Sequence, residues 1–427
     1  DALPGNGLAE ASPGITTFRS ALMEADALPG ADTITFAPGI TAISILAAST
    51  ILTDNAGVTI DGGDAKGLLD FSGAGGGPGI WIRSANNVIK NLTIVGCQPK
   101  TDPGAGIYLQ FAGATNNLIQ GCHIGVFNGV AVPNVAGGIR IMDATDNVIG
   151  GTTEAQRNVI SGNAFAGIGI QGNSVFNGNN VILGNFIGTT VDGTAALPNT
   201  SHGVFLLGAA SNTIGGPSAA EGNVISGNSG NGILVQTQTF GTVTSNDNII
   251  QGNIIGATVD GDPLGNTLNG VYLHAQNAGV QGTAVGGVGT DSANVIANNG
   301  GDGVRVEGAT ASANELRRNS IHSNGGAGIA LAAGANGGVL APTITSLNPL
   351  QITGAGADST VEVFIDDANE GRTFLTELTA NISGDATGSV DFAAHANKNV
   401  TATSTRTTGN TSAFSSPVIV RFPNPDT

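Results

Sequence analysis

Short apolar runs of three or four residues alternate with Asn- and Gly-rich turns along most of the chain. One phrase recurs as Asn158-Val-Ile-Ser-Gly-Asn163, Asn180-Val-Ile-Leu-Gly-Asn185, Asn223-Val-Ile-Ser-Gly-Asn228 and Asn248-Ile-Ile-Gln-Gly-Asn253, with a worn copy at Asn294-Val-Ile-Ala-Asn-Asn299. A second phrase, Gly then Ile or Val, a variable residue and an apolar one, starts at Gly79, Gly106, Gly138, Gly167, Gly203, Gly232, Gly270, Gly303 and Gly328. Such runs predict strands, and their return at intervals of roughly 30 residues predicts a solenoid in which each coil buries its apolar face against its neighbours. Asn tolerates the left-handed backbone of sharp corners and bonds its own turn. Stacked at the strand spacing of about 4.8 Å, Asn side chains can also pair as a ladder. A longer period is hidden inside: Ile149, Ile214 and Val285 each open a similar Gly-Gly segment and lie 65 and 71 residues apart. The unit in the middle of the chain is therefore two coils.

The ends break this pattern. Apolar residues at 18, 21, 22 and 25 form the stripe of a short helix, stopped by Leu28-Pro29-Gly30. A helix there would cover the open edge of the first coil, which would otherwise recruit other strands. Beyond Leu331, Gly334-Ala-Asn-Gly-Gly338 reads as a linker. Alternating strands are then expected at 361–365, 373–378, 389–392, 400–404 and 418–422. The expected organisation is a cap with the first coils (1–78), coils (79–333), a linker (334–340) and a small Ig-like β-sandwich (341–427). The fold class is all-β, a parallel β-helix with a short N-terminal capping helix and a C-terminal β-sandwich.

Composition narrows the partners. With 31 acidic against 14 basic residues, a net charge of −17 disfavours nucleic acid and anionic membrane surfaces. No apolar run reaches the roughly 18 residues of a membrane span, and no signal peptide is visible; a mature secreted product would also lack one. Aligning Asn87-Val-Ile-Lys-Asn-Leu with Asn117-Leu-Ile-Gln-Gly-Cys puts Cys122 on the inward position of Leu92. It is therefore expected to be a buried thiol, whereas Cys97 falls near Phe127 at a turn.

These features together resemble right-handed parallel β-helices of the pectate-lyase-like superfamily. More narrowly, the chain is similar to secreted bacterial proteins with a Cys-Ser/Thr-Leu-Arg-Glu-Ala N-terminal segment, Asn-Val-Ile-Ser-Gly-Asn coils and a C-terminal β-sandwich. The segment Thr16-Thr-Phe-Arg-Ser-Ala-Leu22 keeps Arg19 and Ala21 but replaces that family's Cys and Glu. Ala27-Leu-Pro-Gly-Ala-Asp-Thr-Ile-Thr-Phe36 and Gly409-Asn-Thr-Ser-Ala-Phe-Ser415 fit closely. The resemblance implies a secreted, extracellular or cell-surface protein. It does not choose an activity, because one β-helix carries many.

Side chains alternate along a strand, so the residue after each Gly-Ile pair points outward. That row reads Trp81, Tyr108, Arg140, Gly169, Phe205, Leu234, Tyr272, Arg305 and Ala330; two residues on come Arg83, Gln110, Met142, Gln171, Leu207, Gln236, His274, Glu307 and Ala332. The single Trp and both Tyr share one register. Aromatic faces stack on sugar rings, and guanidinium forks pair with carboxylate or sulfate. Packing under loops is the structural alternative, favoured by the apolar Phe205 and Leu234. The expected substrate-binding residues are Trp81, Tyr108, Gln110, Tyr272 and Arg305. For a lyase of uronic-acid polymers, Arg83 or Arg140 would neutralise the substrate carboxylate and His274 or an arginine would take the C5 proton. A glycoside hydrolase would need two carboxylates about 5–9.5 Å apart; Asp143 and Asp146 share one segment and Glu307 lies one coil from His274, but none forms a convincing pair. The functional expectation is an extracellular protein acting on or binding acidic polysaccharide. The alternative is a non-catalytic surface, matrix or adhesin protein whose β-helix is a spacer.

Several motif-like runs carry no such weight. Gly167-Ile-Gly-Ile-Gln-Gly172 matches a dinucleotide fingerprint but has no following helix. Gly286-Gly-Val-Gly-Thr-Asp291 occupies a loop slot shared with sister coils. Asp192 and Asp260 lie in matching Val-Asp-Gly turns two coils apart, about 9.6 Å, too far to share an ion. With Asp262 nearby, weak Ca2+ binding is the one cofactor expectation, and none is required. No zinc or other metal site is assigned at His202 or elsewhere.

Overall fold

The computed structural model describes residues 3–12, 14–47, 50–100, 103–173, 178–239, 241–289 and 291–421. Phe422, the end of the last predicted strand, and Thr290 of the Gly286–Asp291 run lie outside them.

Three parallel sheets of ten strands each run the length of the coils. Sheet A runs from Asp32–Thr35 to Glu315–Arg317, sheet B from Ala42–Ser44 to Ser320–His322, and sheet C from Ile51–Leu52 to Ile329–Leu331. Each coil contributes one strand to each sheet in turn, so the solenoid has ten coils. The register explains the core: Ile89, Ile119, Ile149, Ile182 and Ile214 pair strand to strand in sheet A, and all are fully buried. Each buried side chain of this size contributes about 1.5–3 kcal/mol, which makes an aliphatic stack with almost no aromatics sufficient.

The Asn-Val-Ile phrase does not mark a single face. Asn180 and Asn248 open strands of sheet A, whereas Asn158, Asn223 and Asn294 open strands of sheet B. Each coil has both corners, and what alternates is the loop between them. The A-to-B connection is long from Ile149 to Asn158 and short from Ile182 to Asn185; the B-to-C connection is short from Ile160 to Gly167 and long from Ile187 to Gly203. One long loop per coil, placed alternately, produces the two-coil period.

At the corners the Asn side chains form three buried ladders. The first runs through Asn87, Asn117, Asn147, Asn180, Asn212 and Asn248, each Nδ2 donating to the next Oδ1 at 2.8–3.2 Å. The second links Asn158, Asn185, Asn223, Asn253, Asn294 and Asn319, and the third links Asn134, Asn163, Asn199, Asn228, Asn266, Asn299 and Asn324. Nearly every rung is fully buried. The amides thus satisfy corner backbone groups that water cannot reach. Both cysteines are free and buried. Cys122 occupies a corner of the second ladder, its N–H donating to Asn158, and burial pushes its thiol up to about 12. Cys97 is also fully enclosed, its N–H donating to Asn134, so the turn expected there is an interior corner.

The helix spans Phe18–Ala27, with Thr17 and Ser20 forming a reciprocal capping box; Phe18, Leu22 and Ala25 are buried against the first coil. At the other end, two antiparallel sheets of three and four strands enclose a separate apolar core. The strands at Thr360–Asp366, Thr373–Thr379 and Asn399–Thr405 match expectation. The strand expected at 389–392 lies earlier, at Ala386–Gly388, because Asp391 instead accepts from the N–H of Ala393 and starts a 3-10 turn. Thr343–Leu347 and Leu350–Thr353 form an additional hairpin. Within the expected linker, the side chain of Asn336 is buried and accepts from Asn314, closing the first corner. Glu362, also fully buried, receives Arg317 at 2.7 Å and the Arg318 backbone N–H at 3.0 Å, tying these sheets to the last coil.

Candidate functional site

The outer face of sheet C carries the aromatic and arginine row in the expected register. Trp81 pairs with Tyr108, Tyr108 with Arg140, Arg140 with Gly169, Gly169 with Phe205, Phe205 with Leu234, Leu234 with Tyr272 and Tyr272 with Arg305. Their neighbours Ile80, Ile82, Ile107 and Leu109 are fully buried, so alternation aims the row outward.

At the N-terminal end of the row, Trp81 stacks on Tyr108 with ring centroids 5.8 Å apart. Gln110 Oε1 accepts from Trp81 Nε1 at 3.1 Å and from Arg83 Nε and Nη2 at 2.9 and 2.6 Å. The Arg83 guanidinium lies between the rings of Trp81 and Phe111, 4.6 and 4.9 Å from their centroids. Arg140 reaches Gln171 Oε1 at 2.8 Å and approaches Tyr108. Among the described residues neither Arg83 nor Arg140 has a carboxylate partner. Neutral amide oxygens hold both cations in place without cancelling them, on a molecule where acids are plentiful. Tyr108 and Gln110 are almost fully buried. They support the surface more than they form it, while Trp81, Arg83 and Arg140 remain half-buried.

The middle of the row has a notch. Gly169 leaves open space where a side chain would stand, with nothing within 4 Å of its Cβ direction. Arg140, Gln171, Phe165, Phe205 and Leu207 surround a hollow of about 170 Å3 there. Phe165 packs edge-on to Phe205, and His202 lies 5.5 Å from the same ring. Phe205 is therefore only partly covered, whereas Leu234 is buried. Burial lowers His202 to about 4, and its Nδ1 accepts from Asn231 N at 3.0 Å. It is a neutral corner residue.

The C-terminal end of the row is electrostatically closed. Arg305 bonds Glu307 at 2.9 Å and Asp302 at 3.2 Å, and Tyr272 donates to Glu307 at 2.8 Å. His274 stacks on Tyr272 at 4.9 Å. Burial and the neighbouring Glu307 carboxylate push the Tyr272 hydroxyl up to about 12; Tyr272 and Arg305 hold Glu307 below its usual range. Burial also lowers His274.

Residues proposed from sequence to share one reaction are thus split. Four strand spacings, roughly 19 Å, separate Arg140 from His274, so the unpaired cations cannot act on the ring that His274 or Glu307 would touch. Sequence reading missed Phe111 and Phe165. Both lie just outside the Gly-Ile register, on turns, and only their aromatic character in an aromatic-poor chain signals them. Among the described residues no three His, Cys, Asp or Glu side chains converge to hold a metal ion. Asp192 is engaged by Thr190 and Thr194 of its own turn, and no described helix is long and apolar enough to cross a membrane.

Residues 40–188 match the family model described as the right-handed β-helix region. No curated protein matches the chain. Among solved structures, the A-module of the Azotobacter vinelandii mannuronan C-5 epimerase is similar over 71% of this chain and 76% of its own, at 14% identity and a TM-score of 0.34. A periplasmic alginate epimerase is similar over 70% of this chain and 82% of its own, at 10% identity and a TM-score of 0.32.

Proposed function

We propose, from the premise that the chain is a right-handed parallel β-helix protein, that it binds acidic polysaccharide outside the cytoplasm along the outer face of sheet C. The observation that carries this reading is the pair of carboxylate-free guanidinium groups, Arg83 and Arg140, set beside the stacked Trp81–Tyr108 platform and the Gly169 notch. A sugar ring offers an apolar C–H face to Trp81 or Phe205, and its carboxylate or sulfate replaces the water around the fork of Arg83 or Arg140. Successive coils repeat these contacts along one line, as an extended polymer requires. The separation of Arg140 from His274 favours binding over β-elimination.

Affinity electrophoresis and calorimetry against polyuronate, sulfated and neutral glycans test the reading. Acidic polymers are expected to bind and neutral ones not. Arg83→Ala and Arg140→Ala should each weaken binding at least about tenfold, the loss expected when a charge-assisted contact worth roughly 1.5–3 kcal/mol is removed, and Trp81→Ala should weaken it severalfold through lost stacking. Equal affinity for neutral polymers, or unchanged affinity in all three variants, overturns it and leaves the spacer reading. Unsaturated ends released from a polyuronate, seen as new far-ultraviolet absorbance, would establish a lyase instead.

A further inference from the structure

The outer face of sheet B changes character along the axis. Its outward row runs Ala42, Leu68, Thr93, His123, Val159, Phe186 and Val224. From Val159 onward the row is apolar and packs with Val126 and Leu197 in a small core of its own. At Thr93 and His123 it is polar, and there the surface opens into a cleft of about 400 Å3. The turn carrying Asp64 and Lys66 lines it, as does a hairpin pairing Val126–Phe127 with Val130–Ala131; Val191, from a loop two coils on, also contributes.

Lys66 has φ of 50°, and its ammonium donates to the carbonyl of Gly121, leaving two N–H groups without partners among the described residues. Lys90 and Lys398 are each paired with an aspartate, at Asp61 and Asp367, whereas Lys66 has no carboxylate within ion-pair distance among the described residues. The ring nitrogens of His123 likewise have no hydrogen-bond partner there. Asp64 and Thr41 offer acceptors, and Leu68 and the exposed Phe127 offer apolar surface.

We propose that this cleft is a second ligand site, separate from the face of sheet C, that takes a single uronic-acid ring. One unpaired cation suits one carboxylate. Asp64 accepts from ring hydroxyls and would repel a second anionic group, and the neutral ring of His123 can both donate to and accept from a hydroxyl. Phe127 and Leu68 suit the C–H face of a pyranose. The ring could arrive as a free sugar acid or as the end of a chain.

Calorimetry on the full chain with D-glucuronate, its methyl ester and glucose tests the site. Glucuronate is expected to saturate one site, with the ester and glucose at least tenfold weaker. Lys66→Met and Phe127→Ala should each weaken glucuronate at least fivefold, and Ile382→Ala, on an exposed turn of the C-terminal sheets, should leave it unchanged. Phe127 sits on an exposed hairpin, so that variant decides the matter if Lys66→Met fails to fold. A tetrauronide that competes with glucuronate identifies a chain end as the source; one that does not identifies the free sugar acid. No saturable glucuronate binding, equal binding of glucose, or full affinity in Phe127→Ala overturns the proposal, whatever happens to polymer binding on sheet C.

Discussion

Asn223 is a rung in the middle of the second ladder, and replacing it with Ala isolates what a rung contributes. Its Oδ1 accepts from Asn185 N at 2.9 Å and Asn185 Nδ2 at 3.0 Å, and its Nδ2 donates to Asn253 Oδ1 and the Ile182 carbonyl, both at 2.9 Å. The side chain is fully buried, so water replaces none of these bonds. At about 1 kcal/mol net per bond, with the Asn185 N–H left orphaned, Asn223→Ala should cost about 3–5 kcal/mol. In a solenoid this loss is first felt locally. Hydrogen exchange at 186–187, 224–225 and 254–255 should accelerate roughly a thousandfold, since each 1.4 kcal/mol is a factor of ten. The fluorescence of Trp81, five strand spacings or about 24 Å away, should change only at global unfolding. Asn223→Asp sharpens the test, because it keeps the acceptor but turns the donor into a second acceptor facing Asn253 Oδ1. That buried carboxyl would have a raised folded pKa, so its penalty should be large at pH 7 and shrink as the pH falls and the acid protonates. A loss below about 1 kcal/mol in the Ala variant, or exchange raised equally in all ten coils, would refute the reasoning.

Thr283 stands between Asn248 and Asn314 where the first ladder calls for Asn, and its buried hydroxyl has no partner; Thr283→Asn should restore the rung and raise the urea midpoint, by about 1–2 kcal/mol of stability. His123 and His202 are both lowered to about 4 by burial. Their unfolded forms bind protons first, so this stability is intact above about pH 6.5 and is lost as the pH falls toward 4; a urea series from pH 7 to 5 should show falling midpoints, with a shallower fall in His202→Gln. Glu362→Ala removes the fully buried member of the Arg317 ion network, leaving the partly buried Arg317 with Glu315 and Glu377, and should cost about 1.5–3 kcal/mol, read as faster exchange across 360–366. Gly169→Phe fills open space at a strand position with ordinary φ, so it should leave the thermal midpoint unchanged or higher while abolishing polymer binding at the notch.

Periodicity carried the architecture because every coil solves the same packing problem. The Gly-Ile phrase marked sheet C without error, since a Cβ at Gly106, Gly138 or Gly203 would collide with the carbonyl of the next coil. The Asn-Val-Ile phrase was ambiguous for a physical reason: two corners of each coil pose the same problem and select the same residues, so a single chain pattern serves sheets A and B alike. The outward row was legible, but its division into an open, unpaired end and a closed ion network was not. That division depends on Asp302 reaching Arg305 from a loop and on glutamines, unremarkable in sequence, holding Arg83 and Arg140. The cleft at Lys66 was hidden for a similar reason. Its hairpin, Val126–Ala131, interrupts the repeat, and interruptions look like noise against a strong period.

The ladders also have a direction. Each bond between rungs runs from Nδ2 to the Oδ1 of the next coil toward the C-terminus, while the same Nδ2 also reaches back to a carbonyl of the preceding coil. The amides therefore share one orientation, and their dipoles add along the axis as peptide dipoles do along a helix. The exit of the third ladder is a cluster of N–H groups, and a carboxylate sits on it: Glu370 accepts from both the backbone and the side-chain nitrogen of Asn324. A carbonyl, Thr411 O, receives the amide of Asn336 beyond the first. The two ends of the stack are therefore chemically different surfaces. A further coil could join only head to tail, and at this end an anion already holds the place it would take.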